Sequence, residues 1–362
     1  MRCTRAASRS AARAFRAGEE LDAAALVRYL HAELGEVVAL PLTVTQYPAG
    51  HSNLTYLVTS ADGAEWVLRR PPFGNQVKSA HDMGREVRVQ RALQEAFPLA
   101  PNPVLYEESG RVLGAPFYLM ERARGTILRR KLPDGLRLEP ATLQKLGDRF
   151  VDTLVALHDL PHEELGLGDF GRPVGYVERQ VAGWSARYEK AKTDDVPEMI
   201  AVARWLAEHR PESPPPSILH NDYKLDNLVL DPDDLTRIVG VLDWEMSTVG
   251  DPLMDLGTAL AYWIEPTDPA PLQGFTFGPT NAPGSPTRRE IAARYALKRP
   301  SVSLEALRFY YVFALFKNAV VAQQIYARFV AGHTQDPRFG AMILGVRLLG
   351  ATAQGVIDGA DF

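Results

Sequence analysis

Ile218-Leu219-His220-Asn221-Asp222-Tyr223-Lys224-Leu225-Asp226-Asn227-Leu228-Val229-Leu230 is the stretch that decides the fold. Polar side chains crowd into a turn between a rigid break at Pro211 to Pro216 and an apolar strand over Leu228–Leu230. A second apolar run, Ile238–Leu242, follows the turn Asp231-Pro232-Asp233-Asp234 and ends on another polar turn, Leu242-Asp243-Trp244-Glu245. Two strand ends that hold carboxylates and a carboxamide side by side suit a hard cation, because Mg²⁺ takes one or two carboxylates, an amide oxygen and phosphate oxygens. A further carboxylate, left off the metal, can accept or orient a hydroxyl proton.

Upstream of this stretch the periodicity predicts a helix over Leu21–Leu34, then strands at Thr43–Tyr47, Leu54–Thr59 and Glu65–Arg70 with Ala61-Asp62-Gly63 as a hairpin turn. A helix over Asp82–Ala96 and strands near Val104–Tyr106 and Pro116–Met120 complete a small, mostly antiparallel domain with one packed helix. Beyond Gly125 the pattern is mainly helical: Ala141–His158, Tyr176–Lys190, Pro197–His209, Asp251–Trp263, Ser303–Val330 and Arg338–Val356, with a Pro/Gly-rich loop over Pro266–Pro286. The fold class is α+β, with expected divisions at 1–18 (a basic tail), 19–121 (a small lobe) and 122–362 (a larger, mainly helical lobe). There are no internal repeats.

The 362 residues, 46% of them hydrophobic, suffice for one large or two medium cores. A net charge of -4 gives no global basic surface for nucleic acid. One cysteine, Cys3, excludes a disulfide framework and a multi-cysteine metal site, and fits a reducing, cytoplasmic setting. The longest apolar candidate for a membrane span, Phe309–Ala322, is short and interrupted by Lys317, so no membrane partner is expected. Arg2, Arg5, Arg9, Arg13 and Arg16 precede any acidic residue and read as a basic tail or as a transit-type segment. P-loop, dinucleotide-fold, serine-hydrolase and zincin motifs are missing.

His220-x-Asp222-x-x-x-x-Asn227, an apolar strand and then Asp243 resemble the catalytic and metal loops of kinase-fold enzymes. Asp243-Trp244-Glu245, Gly250-Asp251-Pro252 and Asp255-Leu256 narrow the likeness to the aminoglycoside phosphotransferase and choline-kinase-like branch. Leu68-Arg69-Arg70-Pro71-Pro72 and His81-Asp82-Met83-Gly84-Arg85-Glu86 are most similar to the phosphotransferase domains fused to acyl-CoA dehydrogenases. The resemblance runs from about Val44 to Arg328 and implies a bilobal protein-kinase-like fold that moves the γ-phosphate of ATP or GTP, with Mg²⁺, to a small-molecule hydroxyl.

By matching positions, the resemblance implies that Asp222 orients and deprotonates the acceptor hydroxyl and that Asn227 and Asp243 hold Mg²⁺. Lys224 meets the γ-phosphate, while His220, Asp251 and Asp255 are structural. Gly50, His51, Ser52 and Asn53 lie in the first hairpin, where such folds cover the phosphates. Arg69 stands where a lysine is usual, with Glu86 as its partner; Arg70 faces the other way. A surface arginine pair is the alternative reading. Tyr118–Arg122 fits the hinge, with Met120 and Arg122 at the nucleotide base.

The acceptor wall falls on the late helices. From Ser285 to Val330 there are eight basic residues and two acidic ones, the wrong sign for a polycationic drug. Lys317, with Arg328 and Glu245, is the expected acceptor contact, and the acceptor an anionic or neutral metabolite such as a hydroxyacyl compound. Alternatively Lys317 snorkels or pairs with a carboxylate such as Glu265. The competing functions are an aminoglycoside kinase and a nucleotide-binding pseudokinase without turnover. A protein kinase is disfavoured, because a helical insert precedes the catalytic loop and no long activation segment separates Asp243 from Asp251.

Overall fold

Leu54, Tyr56 and Val58 recur at every second position of β2 (Leu54–Thr59), as do Trp66 and Leu68 in β3 (Glu65–Arg70), and all five are buried. The computed structural model describes residues 15–16, 18–47, 53–73, 82–133, 135–334 and 336–361. The chain divides into two units, the first formed by described residues up to Thr126 together with Val239–Glu245, the second by the remainder.

In the first unit, β1 (Thr43–Gln46), β2, β3, β4 (Pro103–Glu107) and β5 (Phe117–Glu121) form one antiparallel sheet in the order β1-β2-β3-β5-β4. One face packs Tyr56, Val58, Leu68, Phe117 and Leu119 against Leu26 and Leu30 of α1 (Ala23–Leu34). Each such side chain contributes on the order of 1.5–3 kcal/mol by leaving water. The opposite face packs Val67, Tyr118 and Met120 against Met83 and Val87 of α2 (Met83–Leu93), whose first turn is capped by Asp82 accepting from the Arg85 N–H. Arg69 shares the face of Val67, towards α2, whereas the guanidinium of Arg70 turns away to the carbonyls of Pro71 and Leu113. The strand–strand–strand–helix–strand–strand order matches the periodicity of the sequence.

The second unit is built around α9 (Leu307–Val330), whose residues Phe309 to Lys317 are all buried. Around it lie α4 (Tyr176–Ala191), α5 (Pro197–Glu208), α6 (Pro252–Tyr262) and α11 (Met342–Ile357), and α3 (Pro140–His158) packs on α8 (Arg288–Lys298), which follows the short α7 (Ala270–Gln273). Gly257 lets α6 approach α9: a Cβ there would lie 2.6 Å from the Tyr310 carbonyl oxygen. Short strands β6 (Ser217–Leu219) and β9 (Thr248–Gly250) pair antiparallel, Ser217 opposite Gly250, which sets residue 220 beside the start of α6. β7 (Leu228–Leu230) leads into the Asp231 turn, closed by the Asp231 N–H on the Arg237 carbonyl; β8 is Ile238–Val241.

Three features differ from the sequence expectations. Helix α8 occupies a stretch left outside the expected helices, although its Thr287–Glu290 capping box is legible. The last helix is broken after α10 (Pro337–Gly340). The expectation that no run reaches bilayer length is corrected: Pro337–Ile357, 21 residues with mean hydropathy 1.4, is long and apolar enough by length and composition. Only 22% of its most apolar window is buried, yet α11 packs on α9 and α5, where Gly350 leaves room for Met199.

Candidate active site

Among the described residues, two non-glycine residues adopt positive φ, Asn221 at 62° and Asp243 at 69°. Both sit on the two polar turns that the sequence singled out, and such conformations persist where the surroundings over-determine them. Fully buried Asp255, on α6, supplies part of that surrounding: it accepts from the His220 N–H (2.6 Å) and the Asn221 N–H (2.8 Å), and His158 Nε2 lies 3.2 Å away. Burial alone would raise its pKa, but these hydrogen bonds and the nearby histidines hold it below the usual carboxylate value. Asp251 caps α6, accepting from the Leu253 N–H and from the Tyr310 hydroxyl at 2.8 Å, and burial raises its pKa.

The polar turn itself is closely bonded. The Asp222 N–H donates to His220 Nδ1 (3.2 Å), and the Asn221 amide donates to the Met246 carbonyl (3.1 Å) and the Tyr176 hydroxyl (3.4 Å). Asp222 Oδ2 accepts from Lys224 Nζ (2.8 Å) and Asn227 Nδ2 (2.9 Å), and the Asp222 carbonyl also accepts from Asn227. Oδ2 is therefore the oxygen that takes both side-chain donors. With its amide nitrogen turned to Asp222, Asn227 presents its hard carbonyl oxygen elsewhere. Lys224 Nζ also lies 5.0 and 5.1 Å from the rings of Tyr262 and Phe277, which meet edge to face. These two aromatics were not expected from sequence. Gly278, φ 143°, brings the loop of Phe277 onto the turn, since a Cβ there would lie 2.8 Å from Leu225 Cβ.

In the first unit, Arg69 spans three carboxylates: its Nε lies 3.3 Å from Glu86, and its NH2 group 2.9 Å from Asp243 and 3.3 Å from Glu245. A lysine, with one nitrogen, could not span both sides. Burial of Arg69 lowers its pKa, but the surrounding carboxylates raise it well above its ordinary value. Glu86 is nonetheless pushed up, by burial first, because one guanidinium is shared among three acids and Asp243 repels it. Glu245, expected at the acceptor, also accepts from Asn53 (2.8 Å), the residue just before β2. The Asp243 segment is anchored by the Val241 N–H on Leu99 (2.8 Å) and by Trp244 edge-on to Phe97. Gly50, His51 and Ser52 lie outside the described residues, as do most of the basic tail and His81. Met120 is buried in β5, and Arg122 pairs with Glu65 at 2.7 Å.

On the late helices the positive balance counted from sequence is largely neutralised. Arg288 pairs with Asp268 and Glu265, Arg289 with Asp361, Arg294 with Asp148, Lys298 with Asp152 and Arg299 with Asp159. Glu265 thus serves Arg288 rather than Lys317. Lys317 donates to the Asn221 carbonyl at 3.2 Å. Arg328, exposed, lies eleven residues further along α9, roughly 16 Å by helical rise, so the two do not meet around one anion.

Residues 43–293 match the model of the phosphotransferase enzyme family (APH). The chain belongs to that family. A mouse protein, acyl-CoA dehydrogenase family member 10, is 33% identical to this phosphotransferase over 313 residues, covering 86% of the chain. The chain spans only 29% of that relative's length. A candidate aminoglycoside phosphotransferase from Ralstonia eutropha JMP134 is 28% identical, with a TM-score of 0.78 over 95% of this chain and 100% of its own. APH(2″)-IIIa in complex with GDP and kanamycin shares the fold at 15% identity, with a TM-score of 0.61 over 91% and 98% of the two chains. The phosphotransferase is thus a bilobal, protein-kinase-like α+β protein and a small-molecule kinase.

Proposed function

We propose that this chain transfers the γ-phosphate of ATP or GTP, with Mg²⁺, to a hydroxyl of an anionic or neutral metabolite such as a hydroxyacyl compound. The single observation that carries the reading is Asp222, whose Oδ2 takes both side-chain donors, Lys224 and Asn227. Asp222 orients the acceptor and takes its proton, and Lys224 balances charge on the transferred phosphoryl group. The donors fit a hard cation: Asn227 offers a carboxamide oxygen and Asp243 a partly exposed carboxylate. These two residues would hold Mg²⁺, which would neutralise charge on the nucleotide phosphates. Arg69, oriented by Glu86, would meet the phosphates together with Gly50, His51, Ser52 and Asn53, and the Met120–Arg122 segment would meet the base. Relatives named as acyl-CoA dehydrogenase family members support a hydroxyacyl acceptor.

A second reading, nucleotide binding without turnover, is favoured by one observation: the Arg69 guanidinium is bonded to the Asp243 carboxylate. Mg-dependent ATP consumption, measured with hydroxy acids and their CoA esters and with aminoglycosides as acceptors, tests both readings in wild type and Asp222→Ala. Acceptor-stimulated consumption lost in the variant supports transfer, and equal background rates support the binding module. Faster turnover of aminoglycosides than of hydroxyacyl compounds overturns the acceptor class.

A further inference from the structure

Lys317 is buried in the midst of α9, 8% exposed, between Phe313, Phe316 and Val320 of its own apolar stretch. Among the described residues no carboxylate lies within 4 Å of its ammonium; the groups that meet it are the Asn221 carbonyl at 3.2 Å and, at 6.0 Å, the Trp184 ring. Burying a cation without a paired anion is costly, and an apolar residue of similar length would fit such a helix better.

What the lysine holds is informative. The peptide unit between Asn221 and Asp222 is gripped at both ends, its carbonyl by Lys317 and its N–H by His220 Nδ1. The residue before it has φ 62°, and its own N–H is fixed by Asp255. This peptide aims the Asp222 side chain. The charged groups that act on the ammonium are Asp222 and Asp255, which favour its charged form, and Lys224, which opposes it; burial opposes it most.

We infer that Lys317 is a positioning residue for phosphoryl transfer: through the Asn221 carbonyl it holds the left-handed turn that aims Asp222. The inference rests on the assignment of Asp222 as the acceptor-orienting base. It departs from a direct acceptor contact, because the ammonium is engaged on the backbone of the turn.

The test compares Lys317→Met, Lys317→Gln and Asp222→Ala with wild type, reading kcat, nucleotide Kd and Tm in one set of preparations. Expected for Lys317→Met is a kcat 10- to 100-fold lower, a nucleotide Kd within threefold of wild type, and a Tm equal or higher, since a buried unpaired charge has been removed. Lys317→Gln, which keeps an N–H donor, should recover part of the lost kcat. A Lys317→Met kcat within threefold of wild type overturns the inference, and so does a kcat that falls only in step with a lowered Tm. Failure of both Lys317 variants to fold assigns the lysine to stability and overturns it as well. If Asp222→Ala keeps the wild-type rate, the assignment of the base fails instead.

Discussion

Replacing Asp255 by Asn keeps the side-chain volume and removes the charge. In the wild type one carboxylate oxygen faces the Asn221 N–H, and the other faces both the His220 N–H and His158 Nε2. A carboxamide has one acceptor oxygen, so in either orientation its NH₂ group meets at least one buried N–H donor. A donor left unsatisfied costs about 1–3 kcal/mol, so about 1–3 kcal/mol is expected for Asp255→Asn in the orientation that turns its NH₂ group to the Asn221 N–H. For a unit of roughly 230 residues, that is a Tm loss of roughly 2–12 °C. Released from its hydrogen bonds, the turn at residues 220–222 would misplace Asp222, and a displacement of about 1 Å lowers turnover on the order of 100-fold. Because the pKa of Asp255 is lowered on folding, its contribution to stability is present above the unfolded value near pH 4 and disappears as the pH falls through the folded one. Scanning calorimetry from pH 3 to 8, with kcat at neutral pH, reads all three effects. A variant that melts within 2 °C of wild type and turns over within threefold of it refutes the reasoning.

Three further outcomes follow from the same geometry. Arg69→Lys gives up either Glu86 or the Asp243–Glu245 side, which should cost about 1–3 kcal/mol in the first unit; an unchanged urea midpoint would contradict this. Gly278→Ala puts a Cβ 2.8 Å from Leu225 at a φ of 143°, so kcat should drop at least tenfold with nucleotide Kd little changed; equal kinetics would show that the loop shifts at no cost. The pKa of Lys317 is lowered on folding, so the unfolded chain binds the extra proton, and wild type should gain stability relative to Lys317→Met as pH rises towards the unfolded value near 10.4. Parallel Tm curves for the two proteins from pH 7 to 10 would contradict that.

The sheet of the first unit was legible because alternation fixes which face each residue takes: Arg69 turns to Glu86 and Arg70 away from it, as period two requires. The polar turn was legible because its residue types and spacing are unusual. What sequence left hidden depends on long-range contact. Phe277 reaches Lys224 only once the 265–287 loop folds back, Tyr262 meets it from the end of α6, and Glu245 meets Asn53 across 192 positions. The count of late-helix cations misled because their carboxylates come from α3 and from residues 265–268 and 361, which a local window does not see. Helix α8 escaped notice because four arginines and lysines blur its apolar stripe, although its capping box marks the start.

The account depends most on the turn carboxylate. Following ³¹P resonances of Mg-ATP with a hydroxyacyl acceptor, in wild type and Asp222→Ala, measures it directly. A new phosphate-ester signal from wild type, absent from a variant that still binds the nucleotide within threefold, is the predicted result. The same ester formed at the wild-type rate by Asp222→Ala would contradict it.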